Sequence, residues 1–580
     1  MRNLSDHEIA LLEDQGCQAE DWQRVLVSDD GFLAQRLRHV RFVGDVEIGD
    51  LTGEIAVEDG FARPCGIHHA TLRDTRIGDH CLVDNVGGYV SRYDIGPHCF
   101  LSHIGTLSTQ GLTAFGNGQP ISVLNEGGPP NIILHHRLTA QTAQLMLHHE
   151  GVRRLYATDP DSRPLARRGT IGEGARIVGA REIINTRIGA SAEIQYASRL
   201  SECTIAPGAF VGHDVALDGC IVAAGASVKD AVQAEHCFIG ESVKMDKGFS
   251  AASSLCFAHS ELLGGEACAC FCGPFTVSHH KNTLLIGGAF AFYNAGSGTN
   301  FSNHAYKMGP IHSGTLLRGS KTASGAHILW PATIGQFSMV MGKVATHPDT
   351  SLLPLSYVFG DGERTVVVPG ICLRSVGTWR DVHKWPRRDR RPPEAADLIH
   401  HGFPNPLLAR QAQAGKQLLE QWLAAIPEDE EWLDMETFVI RRTAAVRGIQ
   451  YYDLLLRLFG RPVDDGDEWA DLCGLLAPQA DIDRLLSDVD SGAIATIDDL
   501  CSVLKSLHDD YAPPSDERHL PSAADAPAAD ADDAADARRL WLRMVQADAE
   551  REFQLGDIDE DFLREFISGM DASPETPTLL

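Results

Sequence analysis

The chain has 580 residues, 43% of them hydrophobic but only 7% aromatic, and carries a formal net charge of −29. A field of that sign repels polyanions and argues against broad nucleic-acid binding, and no run of roughly 20 apolar residues is present to cross a membrane as a helix. The 14 cysteines are scattered through apolar segments, and the first residues hold no apolar run of signal-peptide type. A reduced cytoplasmic protein without a disulfide framework is therefore expected.

Residues 1–39 read as an N-terminal helical cap. Ser5 precedes Glu8 by three residues, the spacing of a capping box, and Ile9, Leu11 and Leu12 supply an apolar face. Over 40–128 the pattern becomes strand–turn–strand, in a first β-helix section: Val40-Arg-Phe-Val43, Val46-Glu-Ile-Gly49, then Ile77-Gly78 and Ile95-Gly96, which align 18 residues apart. Residues 129–168 interrupt it. Leu138 to Glu150 has helical spacing and no turn glycine, which predicts a helical insertion followed by a loop about Asp159-Pro160-Asp161.

From Gly169 the ladder resumes as Ile171-Gly172, Ile188-Gly189, Ile205, Ile221 and Ile239-Gly240, with Ile334-Gly335 later, and steps of about 16 to 18 residues within each run. That period is too short for helical repeats of about 33 to 47 residues. It fits a solenoid in which each coil of short parallel strands stacks on the one before, with three sides to a coil. The main β-helix is expected over 169–391. Beyond it, 392–520 reads as a helical domain, with an amphipathic helix from Leu407 to Ala424 carrying Leu418, Leu419 and Leu423. Residues 521–538 read as an acidic Ala/Asp linker and 539–580 as a pair of C-terminal helices.

The segments Ile171-Gly-Glu-Gly-Ala-Arg-Ile177, Ile188-Gly-Ala-Ser-Ala-Glu-Ile194, Ile205-Ala-Pro-Gly-Ala-Phe-Val211, Val222-Ala-Ala-Gly-Ala-Ser-Val228 and Ile239-Gly-Glu-Ser-Val-Lys-Met245 resemble the hexapeptide repeat of left-handed parallel β-helix proteins. The resemblance covers roughly 40–128 and 169–375. That superfamily contains acyltransferases, the C-terminal halves of sugar-nucleotide pyrophosphorylases and γ-class carbonic anhydrases. It implies a mainly β fold, a left-handed parallel β-helix, here with helical additions at both ends. It also implies a homotrimer and acyl transfer from acetyl-CoA or another acyl-CoA. The whole chain resembles a large hexapeptide-repeat family with a central block rich in His and Asn. Neither a Walker-type phosphate loop nor a Gly-x-Ser-x-Gly elbow is present.

Candidate site residues concentrate between Gly273 and Asp349. His279, His280 and His304 are candidate general bases, because imidazole titrates near working pH. Asn294, Asn300, Asn303 and His312 are candidates to orient a substrate, and the turn holding Ser297 offers backbone N–H groups to phosphate. Lys281, Lys307, Arg318 and Lys321 are candidate phosphate contacts in an otherwise acidic chain. The 24-residue step from His280 to His304 and the 23-residue step from there to His327 suggest one vertical row. The basic run Trp379 to Arg391 reads equally as a phosphate site or as a dock for the acidic C-terminal helices. The histidine spacing does not match the zinc set of γ-carbonic anhydrases, so no metal is expected. Cys268, Cys270 and Cys272 alternate as stacked core thiols would.

The expected function is transfer, most simply of an acyl group, to a phosphorylated sugar or nucleotide-sugar type small molecule, with no membrane or nucleic-acid partner. A phosphoryl-transfer or metal-dependent enzyme on the same fold is one alternative. A non-catalytic sugar-phosphate-binding scaffold is another.

Overall fold

The computed structural model describes residues 1–302, 313–463, 468–511 and 531–555. It is a mainly β parallel solenoid with helices toward both ends of the chain. The chain divides into two compact units, one of Met1–Val123, Pro129–Leu138 and Arg153–Cys268, the other of Leu124–Gly128, Thr139–Val152 and Ala269–Leu580.

In the first unit, α1 (Asp6–Asp14) begins at the expected capping box: Ser5 Oγ accepts the Glu8 N–H at 3.3 Å and Glu8 Oε2 accepts the Ser5 N–H at 2.8 Å. Two long parallel strands, Leu37–Ile48 and Gly66–Ile77, then lead into the coils.

Three apolar rows run up the inside of these coils, one for each side. The first is Ile48, Ile77, Ile95, Ile171, Ile188, Ile205, Val222, Ile239 and Cys256, each in register with the next. None is more than 4% exposed. Val222 occupies the place that spacing suggested for Ile221, which pairs with Thr204. The second row is Val83, Leu101, Ile177, Ile194, Val211, Val228, Met245 and Leu262. The third is Val90, Leu107, Ile183, Leu200, Leu217, Ala234, Ala251 and Ala267. Branched aliphatic side chains fill so narrow a core, which is why aromatics are sparse. Burying each contributes about 1.5–3 kcal/mol.

The corners between sides need residues with positive φ. Glycine supplies many, but among the described residues eight histidines also hold φ near +55°: His39, His69, His80, His98, His103, His236, His259 and His347. Histidine, like Asn and Asp, is enriched in this left-handed region. Much of the histidine content therefore serves backbone geometry. None of the fourteen cysteines forms a disulfide, and twelve are buried.

The chain leaves the coil after Ser108 and returns at Gly169, so the excursion begins some twenty residues before the point that helical spacing marked. In the first unit it carries a short hairpin, Pro120–Ile121 with Ile132–Ile133; the helix α2 (Ala140–His148) belongs to the second unit, and most of α3 (Glu150–Thr158) to the first.

In the second unit the coils hold larger side chains. Phe290, Tyr293, Phe301 and Trp330 are all buried and pack ring on ring. Trp330 Nε1–H donates to Ile286 O at 2.6 Å. The last coil passes into an antiparallel hairpin, Tyr357–Asp361 with Arg364–Val368. The β-helix thus ends before residue 391, and α4 occupies Val376–Arg388.

The helices α5 (Pro406–Ala425), α6 (Arg442–Phe459), α7 (Gln479–Ser491), α8 (Ile497–Tyr511) and α9 (Ala531–Leu555) follow. The expected helical region also contains strands, Trp432–Asp434 with Val439–Arg441 and Trp469–Leu472 with Leu475–Pro478. Helix α9 starts at Ala531, inside the segment that composition marked as linker. Ala537, Trp541, Val545 and Ala549 recur at helical spacing and are buried, and that apolar stripe holds the helix. The second of the expected C-terminal helices lies outside the described residues. Tyr452 of α6 donates to Pro354 O at 2.9 Å, and Trp541 of α9 to Leu373 O at 2.8 Å. No helix among the described residues is long and apolar enough to cross a membrane.

Candidate functional site

The candidate residues of the second unit gather around one corner of successive coils. Val277 and Ser278 are in register with Asn294 and Ala295, and Leu284 with Asn300. The segments 279–283 and 296–299 between these pairs are therefore stacked corners. Ser297 lies at the upper one, where its carbonyl accepts the Gly325 N–H of the next coil at 2.7 Å. The lower corner is one residue longer. Its His279, His280, Lys281 and Asn282 are all exposed.

Asn294 and Asn300 stand on the two sides that meet there, both half-buried. Asn300 is in register with His327, which is in register with Lys343. The polar row on that side is thus Asn300, His327 and Lys343, where sequence spacing had proposed His280, His304 and His327. Asn303, His304, Lys307 and His312 lie outside the described residues. Behind the corners, Tyr293 Oη and Thr299 Oγ1 each lie 2.7 Å from Thr322 Oγ1, so the buried hydroxyls satisfy one another.

The structure places Arg318 and Lys321 differently. Arg318 is 5% exposed. Its Nε and Nη2 fork onto the Asp471 carboxylate at 2.6 and 3.0 Å, while Nη1 donates to His400 O and Nη2 to Gly474 O. Its guanidinium lies 4.5 Å from the Phe292 ring centre. Lys321, in register with Asn294, reaches Asp381 of α4 at 2.5 Å and Gly377 O at 3.0 Å. Both cations thus hold strands to the helical region of this unit. Arg391 likewise forks onto Asp389 and donates to Asp397 O. Helix α9 docks at the other end of α4, where Asp548 accepts the Val376 N–H at 3.0 Å.

Over residues 1–423 the sequence matches the model of a family described as Domain of unknown function (DUF4954). The chain belongs to the DUF4954 family. Residues 453–515 match a second model, Domain of unknown function (DUF6819). The chain is also similar to an uncharacterized protein of Treponema pallidum (strain Nichols), 37% identical over 117 residues, which are 20% of this chain and 16% of that protein. The matched part is thus a small fraction of the relative's length.

Within the DUF4954 region, the first unit holds a second group that sequence reasoning passed over. One ring nitrogen each of His135 and His136 and an Asp161 carboxylate oxygen lie within 4.8 Å of one another. The two rings stack with centres 4.6 Å apart, and Tyr156 meets His135 edge-on at 5.5 Å. His136 Nδ1 lies 3.0 Å from Asn117 Oδ1, which also accepts the His136 backbone N–H at 2.8 Å. Asn117 is buried and donates to Ala114 O and Thr204 Oγ1.

Asp159 caps the short turn Pro160–Ser162, its Oδ1 accepting the Asp161 N–H at 2.9 Å. His135 is wholly buried. Its Nε2 lies 3.3 Å from Asp159 Oδ1. Burial pushes the His135 imidazole down to about 4, His136 adding to the shift and Asp159 opposing it. Burial lowers His136 as well, against Asp161. Both rings are therefore neutral at pH 7. The adjacent His135-His136 and the Asp159-Pro160-Asp161 loop were the visible signals, but about 25 residues of excursion separate them.

Proposed function

We propose that this protein is a transferase of the hexapeptide-repeat, left-handed β-helix type, acting on a phosphorylated sugar or nucleotide-sugar type small molecule. The observation that supports this reading is the stacking of the exposed His279–Asn282 corner below the Ser297 corner, flanked by the row Asn300, His327 and Lys343. A ligand lying along that edge meets an imidazole, amides, backbone N–H groups and the ammonium groups of Lys281 and Lys343. That set suits a polar acceptor carrying phosphate. His280 is the general base of this reading and Asn300 the acceptor's orienting group. Arg318 and Lys321, already engaged by carboxylates, maintain the scaffold. The donor is acetyl-CoA or another acyl-CoA, and the assembly a homotrimer.

The test is native mass spectrometry of the full-length protein, followed by acyl-CoA-dependent transfer assays on sugar phosphates and nucleotide sugars. A trimer that turns over, and loses more than about a hundredfold in rate in His280→Ala, supports the reading. Absence of transfer to every acceptor, or full turnover in both His279→Ala and His280→Ala, rejects it.

A further inference from the structure

We propose that His136 Nε2, His135 Nε2 and the Asp161 carboxylate bind one divalent transition-metal ion of zinc type in the excursion of the first unit. This inference is independent of the transfer reaction proposed above, whose residues belong to the second unit.

The geometry of two of the donors is close to what an ion requires. His136 Nε2 lies 3.7 Å from Asp161 Oδ2. Tetrahedral ligands at about 2.1 Å from zinc stand roughly 3.4 Å apart, so a shift of a few tenths of an ångström closes the pair on an ion. The tautomer of His136 is also set. Asn117 Oδ1 can only accept, so the ring proton resides on Nδ1 and the Nε2 lone pair faces Asp161. A fixed hydrogen bond from the far ring nitrogen is the usual support of a ligating histidine.

Asp161 is positioned by Asp159, which holds its backbone N–H. His135 supplies a second sign: its wholly buried Nε2 lies 3.3 Å from the Asp159 carboxylate, beside the Asp161 that Asp159 holds.

His135 is the weaker ligand. Its Nδ1 accepts the Arg137 N–H at 3.2 Å, so the ring proton sits on Nε2. Coordination through Nε2 moves that proton to Nδ1 and gives up the Arg137 bond, with no net gain or loss of protons. Two imidazoles and one carboxylate favour a borderline transition metal over magnesium or calcium, which take oxygen ligands. Three protein ligands leave a coordination position for water or a substrate atom.

The experiment uses the full-length protein, stripped with chelator and dialysed. Zinc is titrated against a chromophoric competitor, and cobalt(II) is followed by its visible ligand-field bands. One ion per chain is expected, with tetrahedral-type cobalt bands. Asp161→Asn and His136→Gln should each weaken zinc binding at least about tenfold. Asp161 has a half-exposed side chain, so Asp161→Asn retains the fold, checked by circular dichroism, and decides the matter alone if the histidine variant unfolds. Failure of the wild-type chain to take up one zinc overturns the proposal. So does an ion held with unchanged affinity by Asp161→Asn, because that ion then resides elsewhere.

Discussion

Ile95 and Ile171 stand in register on neighbouring coils although they lie 76 positions apart in the chain. The excursion between them interrupts the sequence without interrupting the core. Closing so long a loop costs little more than closing a shorter one, because the entropy grows only with the logarithm of length. The same pair of strands sets Tyr93 against Gly169, where a β-carbon on residue 169 would come within 2.4 Å of the tyrosine ring.

Tyr93 is the pin at this junction. It is wholly buried; its hydroxyl donates to Thr186 O at 2.8 Å and accepts the Thr186 N–H at 3.2 Å. Tyr93→Phe leaves both backbone groups unmet and should cost about 1–3 kcal/mol. Urea denaturation of the full chain reads the loss, and an unchanged midpoint would show that Thr186 is satisfied in another way.

Arg318→Met should destabilise the second unit by about 3–5 kcal/mol, because it strands the Asp471 carboxylate and two carbonyls in a buried setting. Hydrogen exchange should show lost protection in the Leu475–Pro478 strand before the coils near Asn300 respond. A phosphate-binding role would instead leave stability intact and change ligand affinity alone.

Acid should weaken the same unit through His400. Burial pushes its imidazole down to about 4, with the neighbouring His508 and Arg318 charges adding to the effect and the bond to His508 O opposing it. The ring is 4% exposed, its Nδ1 accepts the Leu476 N–H and its Nε2 faces His508 O. The unfolded chain takes up a proton near pH 6.5, the folded chain only near 4. The full stability is present above pH 6.5, and about 3 kcal/mol is lost as pH falls from there to 4. Denaturation midpoints across that window test this; His400→Gln should flatten the slope.

The corner histidines separate backbone duty from chemistry. His236 holds φ at 53°. His236→Val should cost about 1–2 kcal/mol and His236→Asn much less, since only the branched side chain is penalised in the left-handed region. Equal losses in the two variants would mean that the ring itself carries the stability.

The solenoid and its period were legible in the sequence, because each coil repeats the same apolar demand and a row of Ile, Val and Leu leaves a visible spacing. The capping box at Ser5 and Glu8 was legible for a similar reason, being local. The candidate corner was partly legible: His279, His280, Lys281, Ser297 and Asn300 do gather. Their register was not, because the corner at 279–283 carries an extra residue and only strand pairing shows that Asn300, not a histidine, stands beside His327. Composition could not distinguish a cation that faces solvent, such as Lys281, from one consumed inside, such as Arg318 with Asp471, since the two partners are 153 residues apart. His135, His136 and Asp161 likewise became a site only through folding. Repetition writes the fold into the sequence, whereas a site is a meeting of distant residues, and that meeting is decided by which coils, excursions and helices pack against one another.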